Sequence, residues 1–316
     1  MDPFVQSQIH DLFHRVKKKS TELRTSTLKE RKEKLKRLEA WILSNRSKIH
    51  NAVNRDLQKP WQETDLTEVF VVLSEIRKAR KNLKYWMSNK PATSSPTYLG
   101  TKAYTYPEPK GACLIIAPWN YPFQLAIAPL VSAIAAGNTA IIKPSEYSEN
   151  ASALIKEMSD ALFEPNEVST VLGAVKESQE LLSLPFDHIF FTGSPQVGKI
   201  VMQSAAKHLT SVTLELGGKS PTIVDETANI TDAATKIAWG KWLNAGQTCI
   251  APDYLLVHES VKDRLIEELV VQSMKIYGRK ESYSGIISGN HHNRVNDLMA
   301  DAVEKGANIE FGGKSD

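Results

Sequence analysis

The sequence contains few of the residues that stabilise small secreted domains or bind metal ions. Among 316 residues there are only two cysteines, Cys113 and Cys249, and one pair cannot brace a chain of this length. The eight histidines show no metal-ligand spacing. The adjacent pair at residues 291–292 lies in a polar stretch, and we interpret it as solvated. We therefore expect a cytoplasmic protein with no disulfide framework and no metal site.

The sequence also lacks a large net charge. The excess of +3 is too small to indicate a nucleic-acid partner, and no apolar run follows Met1 that would predict a secretory signal. Residues 15–39 hold 11 Lys or Arg against 4 Glu. Leu28, Leu35, Leu38 and Ile42 are spaced there for one helical face. Such a helix can lie on an anionic membrane, but a solvated helix that packs through its leucines is the favoured interpretation.

No charged residue occurs in the 32 positions from 111 to 142, which exceeds the roughly 20 needed to cross a bilayer. Prolines at 118, 122 and 129 and a glycine at 137 divide this stretch. It therefore predicts a strand at 112–117, a helix at 122–136 and a strand at 139–143, all in a covered parallel sheet.

The alternation of strands and helices continues along the chain. Strands are predicted at 168–172, 188–192 and 212–216, and helices at 151–162 and 195–206. Residues 21–86 have a helical pattern, with apolar residues at 66, 69, 70, 73 and 76. The fold class expected is α/β, with a doubly wound, Rossmann-like sheet followed by a second α/β unit.

Composition breaks and glycines suggest the domain limits. Gly217-Gly218 is a natural hinge, and prolines bracket a weakly alternating segment that could extend from the surface. We therefore place a second domain from about residue 217, and the segment at 97–107 is either an arm that serves assembly or a plain surface connection.

Two residues carry the chemistry of covalent catalysis. Cys249 follows the turn Gly-Gln-Thr at 246–248, and Glu215 precedes a double glycine. A thiol can serve as a nucleophile, and a carboxylate can activate water. A cysteine taken alone is more often an inert buried residue, and this is how we interpret Cys113 in its apolar run.

Three further motifs follow predicted strands. Asn120, between two prolines, is a rigid amide that could hold an oxyanion, although asparagine there also forms turns. Lys143 and Glu146 could bind ribose hydroxyls, or be a surface lysine and a helix-initiating glutamate. Ser194 caps a predicted helix whose free amides suit a phosphate, although the spacing is not GxGxxG and a plain strand-to-helix turn remains open.

Together these motifs resemble the NAD(P)-dependent aldehyde dehydrogenase family over nearly the whole chain. The resemblance rests on Pro-Trp-Asn-Tyr-Pro at 118–122, Lys-Pro-Ser-Glu at 143–146, Phe-Thr-Gly-Ser at 191–194 with Val-Gly at 197–198, Leu-Glu-Leu-Gly-Gly-Lys at 214–219, and Gly-Gln-Thr-Cys at 246–249. Segments 106–109, 187–190 and 249–254 are most similar to the class 3, fatty-aldehyde-type branch. Family members continue well past residue 316, so the resemblance implies a chain truncated at its C-terminus. It implies a Rossmann-like dinucleotide-binding cofactor domain at 1–96 and 108–216, a small oligomerisation arm at 97–107, and a second α/β catalytic domain at 217–316 that is incomplete.

The resemblance implies that the protein oxidises aldehydes, medium- or long-chain aliphatic or aromatic, to carboxylic acids. Cys249 would form the thiohemiacetal and thioester, Asn120 would hold the oxyanion, and Glu215 would deprotonate water. The cofactor expected is NAD, with NADP as an open alternative. Its binding residues would be Trp119, Lys143, Glu146, Thr192, Gly193, Ser194, Gly198, Leu216 and Gly217. A homodimer is expected, and a C-terminal tail beyond this chain would allow membrane association.

Two other functions stay open. A truncated, catalytically impaired protein of the same fold could bind nucleotide or serve in assembly, and the activity of residues 1–316 alone is left undecided. A thiol esterase could use Cys249 and Glu215 without a cofactor.

Overall fold

The computed structural model describes residues 3–93 and 95–313, and it is built around a parallel sheet of five strands. From one side of the sheet to the other, the strands are β5 (Val168–Thr170), β4 (Thr139–Lys143), β3 (Ala112–Ile116), β6 (His188–Gly193) and β7 (Ser211–Leu216). The chain therefore starts the sheet in the middle, builds outward on one side, and then returns to build the other side. This is the doubly wound arrangement predicted from the alternation of strands and helices.

The strands are β1 Lys90–Ala92, β2 Ala103–Thr105, β3 Ala112–Ile116, β4 Thr139–Lys143, β5 Val168–Thr170, β6 His188–Gly193, β7 Ser211–Leu216, β8 Ser220–Val224 and β9 Pro252–Val257. The α-helices are α1 Pro3–Leu23, α2 Leu28–Ser44, α3 Arg46–Leu57, α4 Trp61–Thr64, α5 Phe70–Trp86, α6 Gln124–Ala136, α7 Glu149–Leu162, α8 Val175–Leu182, α9 Pro195–Ala206, α10 Ile230–Trp242, α11 Lys262–Tyr277 and α12 Gly289–Glu304. A π-helical turn spans Asp65–Val69, and short 3-10 turns span Pro96–Tyr98, Leu243–Gly246, Glu259–Val261 and Lys280–Ser282.

The uncharged stretch at 111–142 forms the centre of this sheet. It folds as β3, α6 and β4, and all five residues of β4 are buried. Helices cover both faces of a parallel sheet, so its central strands need no polar face. The predicted strand, helix and strand are confirmed. Among the described residues, no helix is long and apolar enough to cross a membrane.

The leucine face of α2 is buried in the protein core. Leu35, Leu38 and Ile42 are fully buried, and α2 packs against α5 and α6. Most charged residues of this segment lie on the other faces of the helix. The packed, solvated helix was therefore the correct interpretation of the basic segment.

The apolar pattern before α5 is interrupted by the π-helical turn. The N–H of Phe70 bonds to the carbonyl of Asp65, five residues back, and this widened turn shifts the helical register. Leu66 and Phe70 are consequently 50% and 56% exposed, whereas Glu68 is buried. The apolar periodicity alone did not predict that Leu66 and Phe70 are exposed and that Glu68 is buried.

The predicted arm at 97–107 contains one strand of an exposed hairpin. Within it, β2 pairs antiparallel with β1, which precedes the predicted segment. Both strands are exposed along their length.

Beyond β7 the chain forms a second unit. Strands β8 and β9 pair in parallel, and α10 and α11 pack on one another beside them. A small core of its own surrounds Val224, Ala234 and Leu265. The α/β fold class predicted for both parts of the chain is confirmed.

Shortening a core side chain of β3 tests the importance of the central strand. Leu114 is fully buried, and Leu114→Ala should lower the free energy of unfolding by about 2–5 kcal/mol because it leaves a cavity. Urea unfolding followed by circular dichroism measures this. Leu99→Ala, at a side chain that is 93% exposed, is the control and should change stability by less than about 0.5 kcal/mol.

The two cysteines should differ sharply in reactivity. Burial raises the pKa of the Cys113 thiol to about 12, and the nearby Asp187 carboxylate adds to this effect. Cys249 is exposed. Because the thiolate is the reactive form, iodoacetamide near neutral pH should modify only Cys249 in the folded protein and both thiols after denaturation, as counted by mass spectrometry. Equal labelling of both in the native state would contradict this assignment.

Candidate active site

The ends of the central strands create one site. In the sheet register, Ile116 of β3 lies beside Lys143 of β4 and Phe191 of β6, and Gly193 of β6 lies beside Leu216 of β7. The carboxyl ends of these parallel strands therefore meet at one edge. The strand order reverses at β3, and ligands of doubly wound sheets bind at such a point. A cavity of about 1100 Å³ opens there.

Nine of the twelve candidate residues line this cavity. They are Trp119, Asn120, Thr192, Gly193, Ser194, Glu215, Leu216, Gly217 and Cys249. The other three, Lys143, Glu146 and Gly198, lie outside its lining. The segments that carry the nine lining residues follow different strands, so the sheet brings together residues that are far apart in sequence.

The turn between β6 and α9 has the features of an anion site. Ser194 caps α9 by accepting a hydrogen bond from the N–H of Val197 at 3.3 Å, with a proline at the first helical position. A methyl group at Gly198 would lie 2.8 Å from Leu216 Cδ2, so glycine allows α9 to approach β7 closely. The hydroxyl of Thr192 is buried and finds no hydrogen-bond partner among the described residues. A helix N-terminus beside an unused hydroxyl suits a phosphate group.

Lys143 is buried at the end of β4. Its ammonium donates to the carbonyl of Pro144 at 2.6 Å and lies 3.8 Å from the Glu146 carboxylate. Burial lowers the pKa of Lys143, and the charge of Glu146 opposes this shift. Glu146 itself is exposed. The alternative of a surface lysine is therefore wrong, and the pair presents a buried cation with an accessible carboxylate next to it.

The turn before Cys249 is strained. Asn244, Ala245 and Gly246 have φ of +54°, +53° and +76°, which is the left-handed region. This region costs a non-glycine residue about 1–3 kcal/mol, so surrounding contacts must hold the turn in place. Gln247 provides some of them, because its side-chain amide donates to the carbonyls of Asn244 at 2.9 Å and Gly285 at 3.0 Å.

Three hydrogen bonds join this turn to the segment after β3, and the first runs from the side-chain amide of Asn244 to the carbonyl of Asn120 at 2.7 Å. The side-chain amide of Asn120 donates to the carbonyl of Gln247 at 2.8 Å, and the hydroxyls of Tyr121 and Thr248 are 2.5 Å apart. Burial raises the pKa of Tyr121, so its hydroxyl stays protonated. Asn120 is thereby held at the residues that immediately precede Cys249, and within residues 3–93 and 95–313 its side-chain amide donates no other hydrogen bond.

Glu215 approaches the same cavity from β7. It lies opposite Thr192 in the sheet register, and it is exposed in the cavity lining. A methyl group at Gly218 would lie 3.9 Å from the carbonyl oxygen of Cys249, an ordinary van der Waals distance, so this segment runs beside the cysteine. The structure brings Cys249, Glu215 and Asn120 to one cavity.

Sequence reasoning missed several residues around the site. His291, interpreted as solvated, instead packs edge-to-face against Trp119 and Tyr147, with ring centres 4.8 and 5.4 Å apart. Burial, together with the charge of Arg294, lowers its pKa. That interpretation was wrong, because nothing in a polar stretch indicates that α12 returns to the cavity. In the part of the chain that the structure describes, no cluster of three or more His, Cys, Asp or Glu could hold a metal.

Buried charges from residues 59–68, between α3 and α5, also lie behind the site. Glu63 accepts a hydrogen bond from the backbone N–H of Asn244 at 2.8 Å, and Lys59 pairs with Glu68 at 2.9 Å. Burial raises the pKa of Glu63, while the charge of Lys59 opposes that rise. Their sequence context carries no motif, so only the packing could identify them.

The donor set fits a dinucleotide. The helix N-terminus, the unpartnered Thr192 hydroxyl and the buried Lys143 ammonium are groups that bind phosphate and ribose oxygens.

Known proteins resemble this chain along nearly all of its length. The family described as "Aldehyde dehydrogenase family" matches residues 4–316. The 4,4'-diaponeurosporen-aldehyde dehydrogenase of Staphylococcus aureus is 49% identical over 92% of this chain and 64% of its own length. Mouse aldehyde dehydrogenase family 3 member A2 is 41% identical over 93% of this chain and 60% of its own length. The dog aldehyde dehydrogenase named "dimeric NADP-preferring" is 38% identical, over 98% and 68%.

Solved structures agree with the fold. The substrate-bound state of Staphylococcus aureus AldH matches with a TM-score of 0.93 and 46% identity, over 98% of this chain and 68% of that one. PnpE in complex with nicotinamide adenine dinucleotide matches with a TM-score of 0.90 and 25% identity, over 98% and 65%.

This chain spans 60–68% of the length of those three curated relatives. The relatives include a family 3 member, in agreement with the class 3 branch that the sequence motifs predicted. The chain therefore belongs to the aldehyde dehydrogenase family.

Proposed function

We propose that the protein oxidises aldehydes to carboxylic acids with NAD(P)+ through a covalent intermediate on Cys249. One observation carries the proposal: a nucleophile, an amide donor and a carboxylate line the same cavity at the switch point of the sheet. An inert structural cysteine is usually buried, whereas Cys249 is exposed in the cavity that Asn120 and Glu215 also line.

Each side chain has a distinct task in this reaction. The Cys249 thiolate attacks the carbonyl carbon of the aldehyde and forms a thiohemiacetal. Asn120, held by its bond to the carbonyl of Gln247, keeps one amide N–H for the oxyanion. A bound nicotinamide cofactor would accept the hydride whose loss yields the thioester. Glu215 then takes a proton from water, which attacks the thioester and releases the acid and the thiol.

The cofactor would lie along the edge of the sheet. Lys143 and Glu146 would bind the adenosine ribose, and Thr192, Gly193 and Ser194 would receive the pyrophosphate at the start of α9. Trp119, Leu216 and Gly217 would form walls of the cavity around the rest of the cofactor.

Apolar surfaces support the substrate class and the homodimer that we propose. The cavity is lined on the α6 side by Leu125, Ala128 and Pro129, which supports an apolar aldehyde of medium or long chain, or an aromatic one. Tyr104 and Tyr106 are exposed at the hairpin, which supports its use in a homodimer. The relatives named for an apolar aldehyde and for a dimeric form support both points. We propose a cytoplasmic location, where thiols such as the two free cysteines stay reduced.

Replacing the nucleophile or the base should give two different defects. Cys249→Ala should abolish aldehyde oxidation. The Glu215→Gln protein should release about one NADH per site in a burst. Its steady rate should then be lower by about 10²-fold or more, because general-base catalysis contributes that much to the rate. Stopped-flow absorbance of NADH separates the burst from the steady rate. Cys113→Ala is the matched control and should retain turnover.

Other outcomes would favour other functions. Cofactor binding without any NADH formation by the unaltered protein would support an impaired nucleotide-binding protein. Ester cleavage with no response to NAD and no aldehyde oxidation would support an esterase. Steady turnover unchanged by Glu215→Gln would remove that residue from the role of base.

The charge of Glu146 should set the cofactor preference. A carboxylate near the ribose repels a 2′-phosphate, so Glu146→Gln should raise kcat/KM for NADP relative to NAD by about tenfold, which corresponds to about 1.4 kcal/mol. Steady-state kinetics with both cofactors measure the ratio. Glu149→Gln, at a nearby exposed glutamate in the first turn of α7, is the control and should leave the ratio unchanged.

A further inference from the structure

A fully buried ion pair lies behind the segment that carries Asn120. The Lys59 ammonium and the Glu68 carboxylate are 2.9 Å apart, and both side chains have no exposed surface. Removing two charges from water is expensive, and a buried pair adds little net stability compared with apolar side chains of the same volume. Stability alone therefore does not account for these two residues.

The other contacts of Glu68 go to the turn after Asn120. Its second carboxylate oxygen accepts hydrogen bonds from the backbone N–H groups of Phe123 at 3.0 Å and Gln124 at 2.8 Å. These groups begin α6 and have no helical partner of their own. Glu68 therefore fixes the start of α6, which is the C-terminal end of the turn.

The other contacts of Lys59 go to the start of the same turn. Its ammonium donates to the backbone carbonyl of Asn120 at 3.3 Å and lies 4.2 Å from the centre of the Tyr121 ring. The cation is thus held by a carboxylate, a carbonyl and an aromatic face. Because the Lys59 ammonium and the Glu68 carboxylate form an ion pair, both ends of the turn are held by the same two side chains.

A second buried donor reaches the same carbonyl from the cysteine side. The side-chain amide of Asn244 donates to the carbonyl oxygen of Asn120 at 2.7 Å, and its backbone N–H is held by Glu63 at 2.8 Å. The peptide that carries Asn120 is therefore fixed between Lys59 and Asn244. Its side-chain amide lies against the carbonyl of Gln247.

We propose that Lys59, with Glu68, is a positioning residue that places the Asn120 amide for the oxyanion formed at Cys249. This rests on the proposed function, since it concerns the same thiol and the same amide. Lys59 does not line the cavity and touches no reacting atom, so it acts through Asn120. Displacement of a catalytic group by about 1 Å can cost about 10²-fold in rate.

Two reactions of Cys249 separate positioning of Asn120 from general support of the fold. Acylation by p-nitrophenyl acetate passes through an oxyanion, whereas alkylation by iodoacetamide displaces iodide and forms none. The double variant Lys59→Met/Glu68→Gln removes both charges of the ion pair, and the glutamine side chain still offers an oxygen acceptor to the N–H groups that begin α6. Acylation should fall by about 10- to 100-fold, and alkylation should change by less than about twofold.

A control and a double-mutant cycle sharpen the test. Lys34→Met/Glu167→Gln removes another largely buried pair, which shares no residue with this network, and should change neither reaction. Asn120→Ala should itself lose acylation, and adding the Lys59 and Glu68 substitutions to it should cause no further loss. Losses that multiply, or acylation and alkylation that fall together, would overturn the inference.

The same experiment distinguishes failure of the inference from failure of the proposed function. Acylation needs no cofactor, so a protein that shows this pattern but oxidises no aldehyde supports the inference and contradicts the proposed function. A native protein that is alkylated but never acylated overturns the inference. Unfolding of the double variant would be visible as alkylation of Cys113. Lys59→Met alone then carries the test, because the Glu68 carboxylate keeps its hydrogen bonds from the N–H groups of Phe123 and Gln124.

Discussion

Parallel pairing of β3 with β4 and β6 is the constraint on which the site depends. Parallel strands require crossover connections, and these place all the carboxyl ends at one edge of the sheet. Asn120 follows β3, Lys143 ends β4 and Thr192 lies at the end of β6, so three segments that are distant in sequence meet at that edge. The cavity is a consequence of this topology.

Cys249 reaches the cavity in another way, because it follows a strained turn outside the central sheet. The left-handed residues Asn244 and Ala245 would relax if nothing opposed them. The buried carboxylate of Glu63 and the side chain of Gln247 hold the turn, at the expense of burying polar groups. The contacts that hold the turn in its strained conformation therefore also fix the position of Cys249.

Much of the fold could be predicted because it depends on local patterns. The uncharged run at 111–142 and its prolines predict β3, α6 and β4, whereas the close approach that Gly198 allows is visible only once α9 meets β7. The exposure of Leu66 and Phe70 could not be predicted from the periodicity. The π-helical turn shifts the helical register, so that Glu68 is buried and these two apolar side chains are exposed. The pairing of β1 with β2 and the return of His291 to Trp119 are contacts between separate segments, which the pattern within one segment does not show.

The sequence by itself determined the family, the alternation of strands and helices, and the identity of the candidate nucleophile, base and amide donor, because each depends on residue type and short spacing. Only the tertiary structure decided that Lys143 is buried, that Asn120 is bonded to the turn before Cys249, and that Lys59 and Glu68 lie behind it. The physical reason is that burial and hydrogen bonding depend on which segments meet, and helices from the beginning of the chain meet the cysteine turn only in the folded protein.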